Sequence, residues 1–262
     1  TQPMNVKAKK HLGQHFLINT AICEKIVQAL PVFETRMKVV EIGPGKGAIT
    51  DFFLQRTDID FCAFEVDLES ILYLKKAHPE FNKVYNQDFL EANFSTYFQE
   101  EQFCVVGNFP YNISSQILFK CLESTHQIPL IIGMFQKEVA RRIAEPPGSK
   151  EYGILSVLMQ AYYDVSYLFT VEPGSFYPPP KVKSGVIRCV RNDRKALGCN
   201  EKLFVKVVKA AFNQRRKTLR NSIRAVFPNV TLTEAFDSRR PEQLTVDAFI
   251  QLTNLIEPYV NA

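Results

Sequence analysis

Between residues 37 and 135, short apolar runs alternate regularly with amphipathic stretches, and this alternation is the strongest constraint on the fold. The apolar runs predict buried strands at 38–43, 61–65, 83–86, 103–107 and 130–135. The amphipathic stretches predict helices over 48–55, over 68–77 and from residue 114. Alternating strands and helices form right-handed crossovers, which place parallel strands in one sheet covered on both faces. The chain is therefore predicted to be an α/β protein.

The remainder of the chain predicts a late strand pair followed by a small helical domain. Runs at 163–170 and 182–190 are typical of strands, and an antiparallel pair here would complete the parallel sheet. The polar segment 191–200 is typical of a linker. Helical spacing then recurs at 203–211, 219–226 and 246–256. We expect two domains, an α/β domain over 1–192 and an all-α domain over 193–262.

The net charge of +5 is concentrated in the second predicted domain. Residues 1–192 hold 20 basic and 20 acidic side chains, whereas residues 193–262 hold 12 basic and 7 acidic ones. Between residues 202 and 224 there are eight basic residues and no acidic residue. This asymmetry favours a polyanion such as nucleic acid as partner, with a solvated helix face as the alternative. Arg216, Arg220 and Arg224 would share one face if the segment is helical throughout.

Cysteine usage and hydropathy indicate a cytoplasmic protein without a metal site or a membrane segment. The six cysteines are far apart and form no C-x-x-C pair, a pattern typical of reduced thiols. The longest uncharged stretch, 102–119, is too polar to span a bilayer. Residues 1–10 are basic and lead into no apolar segment, so no secretory signal is expected. The absence of a long heptad pattern favours a monomer.

A glycine-rich loop, Glu-Ile-Gly-Pro-Gly-Lys-Gly at 41–47, directly follows the first predicted strand. Glycines allow a sharp turn and a close approach of the backbone to a ligand, and the helix that follows offers free N–H groups. The spacing is G-x-G-x-G rather than the G-x-G-x-x-G of dinucleotide sites. The loop indicates a ligand that contains a nucleoside, with a purely structural turn as the alternative.

Two carboxylates end the neighbouring strands. Glu65 lies about twenty residues beyond the glycines, where an acidic side chain can accept hydrogen bonds from ribose hydroxyls. Asp88 follows the third strand and could accept from an adenine amine. Either residue alone is more often a helix cap or a surface acid. Because carboxyl ends of adjacent parallel strands form the ligand-binding edge of such sheets, the set favours a binding site.

The segment Asn-Phe-Pro-Tyr-Asn at 108–112 leaves the fourth strand. The Asn108 side-chain oxygen and the Pro110 carbonyl could accept the two N–H bonds of an exocyclic amine, and Tyr111 could stack on the ring. The alternative is a proline turn beside a packed tyrosine. The segment predicts a site for a planar base that carries an amino group.

These motifs together resemble the rRNA adenine N6,N6-dimethyltransferases, which use S-adenosylmethionine. The resemblance covers nearly the whole chain and includes the glycine loop, the 108–111 segment and further segments at 13–17, 136–140, 152–157, 176–184 and 211–221. It implies a class I methyltransferase fold, which is Rossmann-like with a mostly parallel seven-stranded sheet. Phe109 departs from the leucine or isoleucine usual in the family, and we expect its side chain to face the core.

The resemblance also implies residue roles. The cofactor S-adenosylmethionine would be bound by His15, Leu17, Gly43, Glu65, Asp88 and Asn108. The target adenine would be held by Asn108, Pro110, Tyr111 and Phe176, with the two aromatic rings on either side of the base. The rRNA would be contacted by Arg215, Arg216, Lys217 and Arg220. No metal ligand is implied.

Segments 136–140 and 211–221 resemble most closely the branch of the family that acts on small-subunit rRNA. The resemblance implies dimethylation of two adjacent adenosines in the 3′-terminal hairpin of that RNA, within an immature 30S subunit. One alternative is a resistance methyltransferase for large-subunit rRNA, and another is an assembly factor that does not need its chemistry. A nicotinamide-dependent oxidoreductase would share the glycine loop and Glu65, but it has no use for the 108–111 segment.

Overall fold

The computed structural model describes residues 5–260. The first four residues of the basic amino-terminal segment and the last two residues of the predicted helical domain lie outside this range. The chain divides into two compact units, one formed by residues up to 140 with 166–191 and the other by 141–165 with residues from 192 onward. One boundary between the units falls between residues 191 and 192, one residue before the predicted division. Segment 141–165, which the sequence analysis assigned to the first domain, groups with the C-terminal helices.

Seven strands form one sheet in the order β4-β3-β2-β5-β6-β9-β7. Adjacent strands from β4 to β6 pair in parallel, and β9 pairs antiparallel with β6. The predicted, mostly parallel seven-stranded sheet is thus confirmed. The strands are β2 (Met37–Ile42), β3 (Ile59–Glu65), β4 (Val84–Asn86), β5 (Phe103–Asn108), β6 (Leu130–Gln136), β7 (Tyr163–Val171) and β9 (Ser184–Arg191).

The central strands are apolar along most of their length because both faces of the sheet are covered. Val40, Val105 and Ile132 on β2, β5 and β6 are fully buried. The helices of this region are α1 (Thr20–Gln28), α2 (Thr50–Phe53), α3 (Leu68–Ala77), α4 (Phe94–Phe98), α5 (Ser114–Leu122) and α6 (Lys137–Ala144). Helix α2 is shorter than the predicted 48–55, since turns of the glycine loop continue to Ile49.

A second, two-stranded sheet was not predicted from the sequence. Strands β1 (Phe16–Leu17) and β8 (Phe176–Tyr177) pair antiparallel, with Phe16 opposite Tyr177 and Leu17 opposite Phe176. We call this pair the β1–β8 ribbon. It ties the amino-terminal segment to the segment that connects β7 with β9.

The second unit is helical in its C-terminal part. Its helices are α7 (Ile154–Gln160), α8 (Glu201–Asn213), α9 (Leu219–Val226), α10 (Glu234–Asp237) and α11 (Val246–Val260). Helix α8 begins at an Asn200 cap, whose side chain accepts the Leu203 N–H at 3.0 Å. The chain is not helical between α8 and α9, so the condition under which Arg216, Arg220 and Arg224 would share one face is not met. Only Arg220 and Arg224 lie together on α9.

Within residues 5–260, no helix is both long and apolar enough to cross a bilayer. Over the same residues, His, Cys, Asp and Glu side chains form no group of three or more that could hold a metal ion. All six cysteines have free thiols, and five of them are buried.

Candidate functional site

The carboxyl ends of β2, β3 and β5 meet at a cleft of about 710 Å³ that opens to solvent. This edge of a parallel sheet is the usual ligand-binding edge of α/β folds. Most of the predicted site residues come together here, since the cleft lining includes His15, Leu17, Gly43, Glu65, Asn108, Pro110 and Tyr111. The carboxyl ends of the strands therefore assemble residues that are up to 96 positions apart in the sequence.

The glycine loop forms one wall of the cleft. Gly43 and Gly45 have φ angles of 65° and 56°, a region that favours glycine. A Cβ at Gly45 would lie 3.0 Å from the Phe16 ring. The Gly45 N–H donates to Glu65 Oε1 at 2.9 Å. The loop thus needs glycine for its conformation and for its approach to the neighbouring strand.

Glu65 is a buried carboxylate at the end of β3. Its second oxygen, Oε2, accepts the N–H groups of Val66 and Asp67 at 2.9 and 3.2 Å. Burial raises the pKa of Glu65, and the three backbone N–H donors oppose that rise. Oε1 accepts only one of these N–H groups and keeps a second acceptor site, so the carboxylate can bind a hydroxyl donor as well.

Asn108 ends β5 with its amide orientation fixed. Its Nδ2 donates to the His15 carbonyl at 3.0 Å, which leaves Oδ1 as the acceptor turned away from that contact. Pro110 lies two residues later, and its carbonyl accepts the Ile113 N–H at 3.1 Å while keeping a second lone pair. The 108–110 segment therefore offers two hydrogen-bond acceptors to a donor in the cleft.

The ring of Tyr111 is held in place from two sides. Its hydroxyl is hydrogen-bonded to Ser184 Oγ at the start of β9. The His15 ring stacks on it with centroids 5.5 Å apart and an interplanar angle of 30°. His15 Nδ1 lies 2.8 Å from the Pro178 carbonyl, and it must carry the proton because a carbonyl only accepts. Burial raises the pKa of Tyr111, so its phenol stays neutral at physiological pH.

Residues 9–17, here called the amino-terminal arm, contribute six residues to the cleft lining and are anchored by polar contacts. Lys9 Nζ lies 3.0 Å from a carboxylate oxygen of Asp67 and 2.5 Å from one of Glu69. Gln14 Nε2 donates to Asp67 at 3.1 Å. The buried Asp67 therefore acts as the main anchor of the arm.

Two of the residues predicted to bind the cofactor or the target base are not among the residues that line the cleft. Asp88 Oδ1 accepts the Leu90 N–H at 2.9 Å and caps the short helical turn Phe89–Glu91. Phe176 is 2% exposed and packs in the hydrophobic core with Leu17. In this structure Asp88 serves as a helix cap and Phe176 as a core side chain.

Glu41 lines the cleft, and the sequence analysis assigned it no role. It is 1% exposed and accepts a hydrogen bond from Thr50 Oγ1 at 2.5 Å. Burial raises its pKa to about 8. The sequence signal that could have pointed to Glu41 is its position: an acidic residue near the end of a mostly apolar strand, two residues before the first glycine of the loop.

The predicted RNA-contacting residues differ in their environments. Arg216 and Lys217 are exposed. Arg220 is also exposed and forms an ion pair with Asp237 at 2.5 Å. Arg215 is half-buried, and its Nη2 donates to the Tyr152 carbonyl at 2.9 Å. Arg215 and Arg220 thus both have contacts within the protein, Arg215 with a backbone carbonyl and Arg220 with a carboxylate.

Sequence comparison gives matches over nearly the full length. The chain matches the family model of ribosomal RNA adenine dimethylase over residues 5–257. It is 52% identical over 255 residues to a ribosomal RNA small subunit methyltransferase A from Bacteroides thetaiotaomicron, covering 96% of this chain and 95% of the relative. A protein of the same name from Parabacteroides distasonis is 52% identical over 260 residues, covering 97% and 96%.

Solved structures give the same fold at lower identity. A dimethyladenosine transferase from Plasmodium falciparum matches with a TM-score of 0.77 and 23% identity, covering 94% of this chain and 98% of that one. The 23S rRNA methyltransferase ErmE matches with a TM-score of 0.69 and 23% identity, covering 92% and 99%. The fold is that of class I methyltransferases, and the family match shows that this chain belongs to the ribosomal RNA adenine dimethylases.

Proposed function

We propose that this protein transfers methyl groups from S-adenosylmethionine to the N6 amines of two adjacent adenosines in the 3′-terminal hairpin of small-subunit rRNA. The observation that carries the proposal is the pair of acceptors, Asn108 Oδ1 and the Pro110 carbonyl, next to the fixed ring of Tyr111. Relatives that are 52% identical and named for the small subunit support this substrate over large-subunit RNA. We further propose that the RNA is recognised in the cytoplasm, in an immature 30S subunit, by a monomer.

The cleft suits the cofactor on three counts. Glu65 is a buried carboxylate able to accept from ribose hydroxyls, and Gly45 leaves open a space that a Cβ would fill. Leu17 and His15 supply apolar and aromatic surface from the amino-terminal arm. S-adenosylmethionine supplies a methyl group on a positively charged sulfur. We propose that Gly43 lies against its methionine part, and that Asp88 reaches the adenine amine with the acceptor capacity its capping bond leaves free.

The chemistry asked of the protein is to orient and activate a weak nucleophile. The N6 lone pair of adenine is delocalised into the ring, so the free amine attacks poorly. If Asn108 Oδ1 and the Pro110 carbonyl accept both N–H bonds, the nitrogen becomes more tetrahedral and its lone pair turns toward the methyl donor. The same acceptors stabilise positive charge that grows on the nitrogen during transfer. Positioning supplies the rest of the rate enhancement, and no side chain has to act as a base.

The target adenosine must leave its stack to reach the cleft. Tyr111 offers a replacement stacking surface, worth roughly 1–3 kcal/mol per base. In the proposed sandwich, Phe176 would cover the other face of the base. That arrangement requires the side chain to move from its buried position, since it is 2% exposed here.

Residues 193–262 would place the RNA through contacts with phosphates. Arg216, Lys217 and Arg220 are the exposed cations of this group, and they would supply binding energy that depends on salt but little on sequence. Arg215 would contribute mainly by holding the segment, because its guanidinium already contacts Tyr152.

The test is transfer of labelled methyl groups to small ribosomal subunits prepared from cells without this enzyme, followed by nucleoside analysis. We expect dimethyladenosine with the wild-type protein and a loss of at least about 100-fold with Asn108→Ala, the scale that follows removal of one preorganised transition-state contact. Asn82→Ala, at an exposed amide, is the matched control and should retain full activity.

Other outcomes lead to different conclusions. Label that appears in large-subunit RNA would assign the protein to the resistance branch. Tight binding to the particle without any transfer would favour an assembly factor, and normal subunit maturation with Asn108→Ala would favour the same conclusion. Binding of a nicotinamide cofactor in place of S-adenosylmethionine would refute methyl transfer altogether.

A further inference from the structure

An aromatic side chain beside the cleft has no part in the proposed methyl transfer. Tyr177 is 67% exposed, whereas the preceding residue, Phe176, is 2% exposed. Both belong to β8, and successive residues of a strand point to opposite faces. An aromatic ring kept in solvent next to a ligand-binding edge is available to a partner.

The register of the β1–β8 ribbon places Tyr177 on the same face as Phe16. Tyr177 lies directly opposite Phe16, and directly opposed residues of an antiparallel pair project to the same face. Phe16 lines the cleft. The other pair, Leu17 and Phe176, packs in the hydrophobic core. Leu17 lines the cleft as well, so the cleft borders both residues of β1, and Tyr177 lies on the face of the ribbon that carries Phe16.

Short contacts connect this aromatic pair to the base-binding segment. The carbonyl of Pro178, the next residue after Tyr177, accepts the His15 Nδ1–H at 2.8 Å. The ring of His15 stacks on Tyr111. On the other side, Lys46 Nζ lies 5.3 Å from the centroid of the Phe16 ring. Aromatic faces beside a lysine are typical of surfaces that bind unpaired nucleic acid.

We propose that Tyr177 stacks on the base next to the target adenosine while the target lies beside Tyr111. This inference rests on the proposed function. Removing one base from a stack exposes a face of its neighbour, and an aromatic side chain can cover that face. Stacking tolerates any base, so one ring could serve both adenosines in turn, each as the neighbour of the other. Tyr177 would then position the strand without touching the reacting amine.

The experiment compares Tyr177→Ala, Tyr177→Phe and the control Val32→Ala, which alters an 87% exposed side chain between α1 and β2. Particle binding, kcat and KM are measured with small subunits from cells without the enzyme, and S-adenosylmethionine binding is measured by calorimetry. Tyr177→Ala should raise Kd and KM for the particle by about 5- to 140-fold, the range for losing one base–aromatic stack. Tyr177→Phe and Val32→Ala should match the wild type, and cofactor binding should be unchanged in all variants.

A second measurement isolates stacking from a structural effect. In particles whose rRNA has one of the two adenosines replaced by uridine, the smaller base stacks less well. The wild type should bind these particles more weakly than unaltered ones, and Tyr177→Ala should bind both equally. If the affinity loss from Tyr177→Ala and the affinity loss from the uridine replacement multiply fully when combined, the proposal is overturned. Wild-type particle binding by Tyr177→Ala would also overturn it. An equal loss of cofactor binding would do the same.

The two proposals fail in distinguishable ways. If the wild type binds particles but transfers no methyl group, the proposed function fails, and particle binding alone still decides the role of Tyr177. If the wild type neither binds particles nor transfers methyl groups, both proposals are overturned.

Discussion

Replacing Glu41 with glutamine should remove a large pH dependence of stability. The carboxyl group is 1% exposed, and burial raises its pKa from 4.5 to about 8. Between these pH values the folded protein holds a proton that the unfolded chain has released. The stabilising contribution is therefore complete below about pH 4.5 and is lost as the pH rises through 8. At ~1.4 kcal/mol per pKa unit, the free energy of unfolding falls by about 5 kcal/mol across this range.

The measurement is urea denaturation of wild type and Glu41→Gln at intervals from pH 5 to 9. A glutamine keeps an oxygen for the Thr50 hydroxyl and never ionises, so the two proteins should differ little at pH 5. At pH 9 the variant should be the more stable by several kcal/mol. Glu80→Gln, at an exposed carboxylate, should leave the pH profile unchanged. Parallel profiles for wild type and Glu41→Gln would refute the reasoning.

If S-adenosylmethionine is the ligand, Glu41 should also make the number of protons released on cofactor binding depend on pH. A positively charged ligand in the cleft that Glu41 lines would favour the carboxylate and lower its pKa. Binding at pH 7 should therefore release up to about one proton, and binding at pH 9 should release none. Calorimetry in buffers of different ionisation enthalpy measures this number, and Glu41→Gln should abolish the release.

Three further substitutions test the core, the arm and the basic segment. Gly133→Ala would place a Cβ 2.3 Å from the Phe109 ring, so it should cost at least about 1–3 kcal/mol in urea denaturation, whereas Gly174→Ala, with open space around it, should be tolerated. Asp67→Asn removes one of the two carboxylates that pair with Lys9, so hydrogen exchange should rise in the amino-terminal arm and cofactor affinity should fall; unchanged exchange would show that the Lys9–Glu69 pair and the β1–β8 ribbon hold the arm without it. Arg216→Ala should reduce the slope of log K for RNA binding against log salt by about 0.9 without changing sequence preference.

The sequence predicts those parts of the fold that a periodic pattern encodes. Helix α3 matches its predicted bounds, 68–77, and the central strands match within a few residues because burial on both faces demands a continuous apolar run. Phe109 faces the core as expected, where it packs against Phe135 at 5.3 Å between ring centroids. The two separate helical patterns predicted at 203–211 and 219–226 correspond to α8 and α9, because each carries its own helical spacing of apolar residues.

The position of Phe176 shows why the remaining features could not be predicted. A resemblance assigns a residue to a motif, but the side of a strand on which it lies depends on register. Here two residues of β8 pair with two residues of β1, a strand too short to leave a periodic pattern. With Leu17 opposite Phe176, the core receives Phe176 and the ring of Tyr177 stays in solvent. A shift of one residue would exchange them, so which of the two aromatic rings is exposed depends on pairing between segments about 160 residues apart.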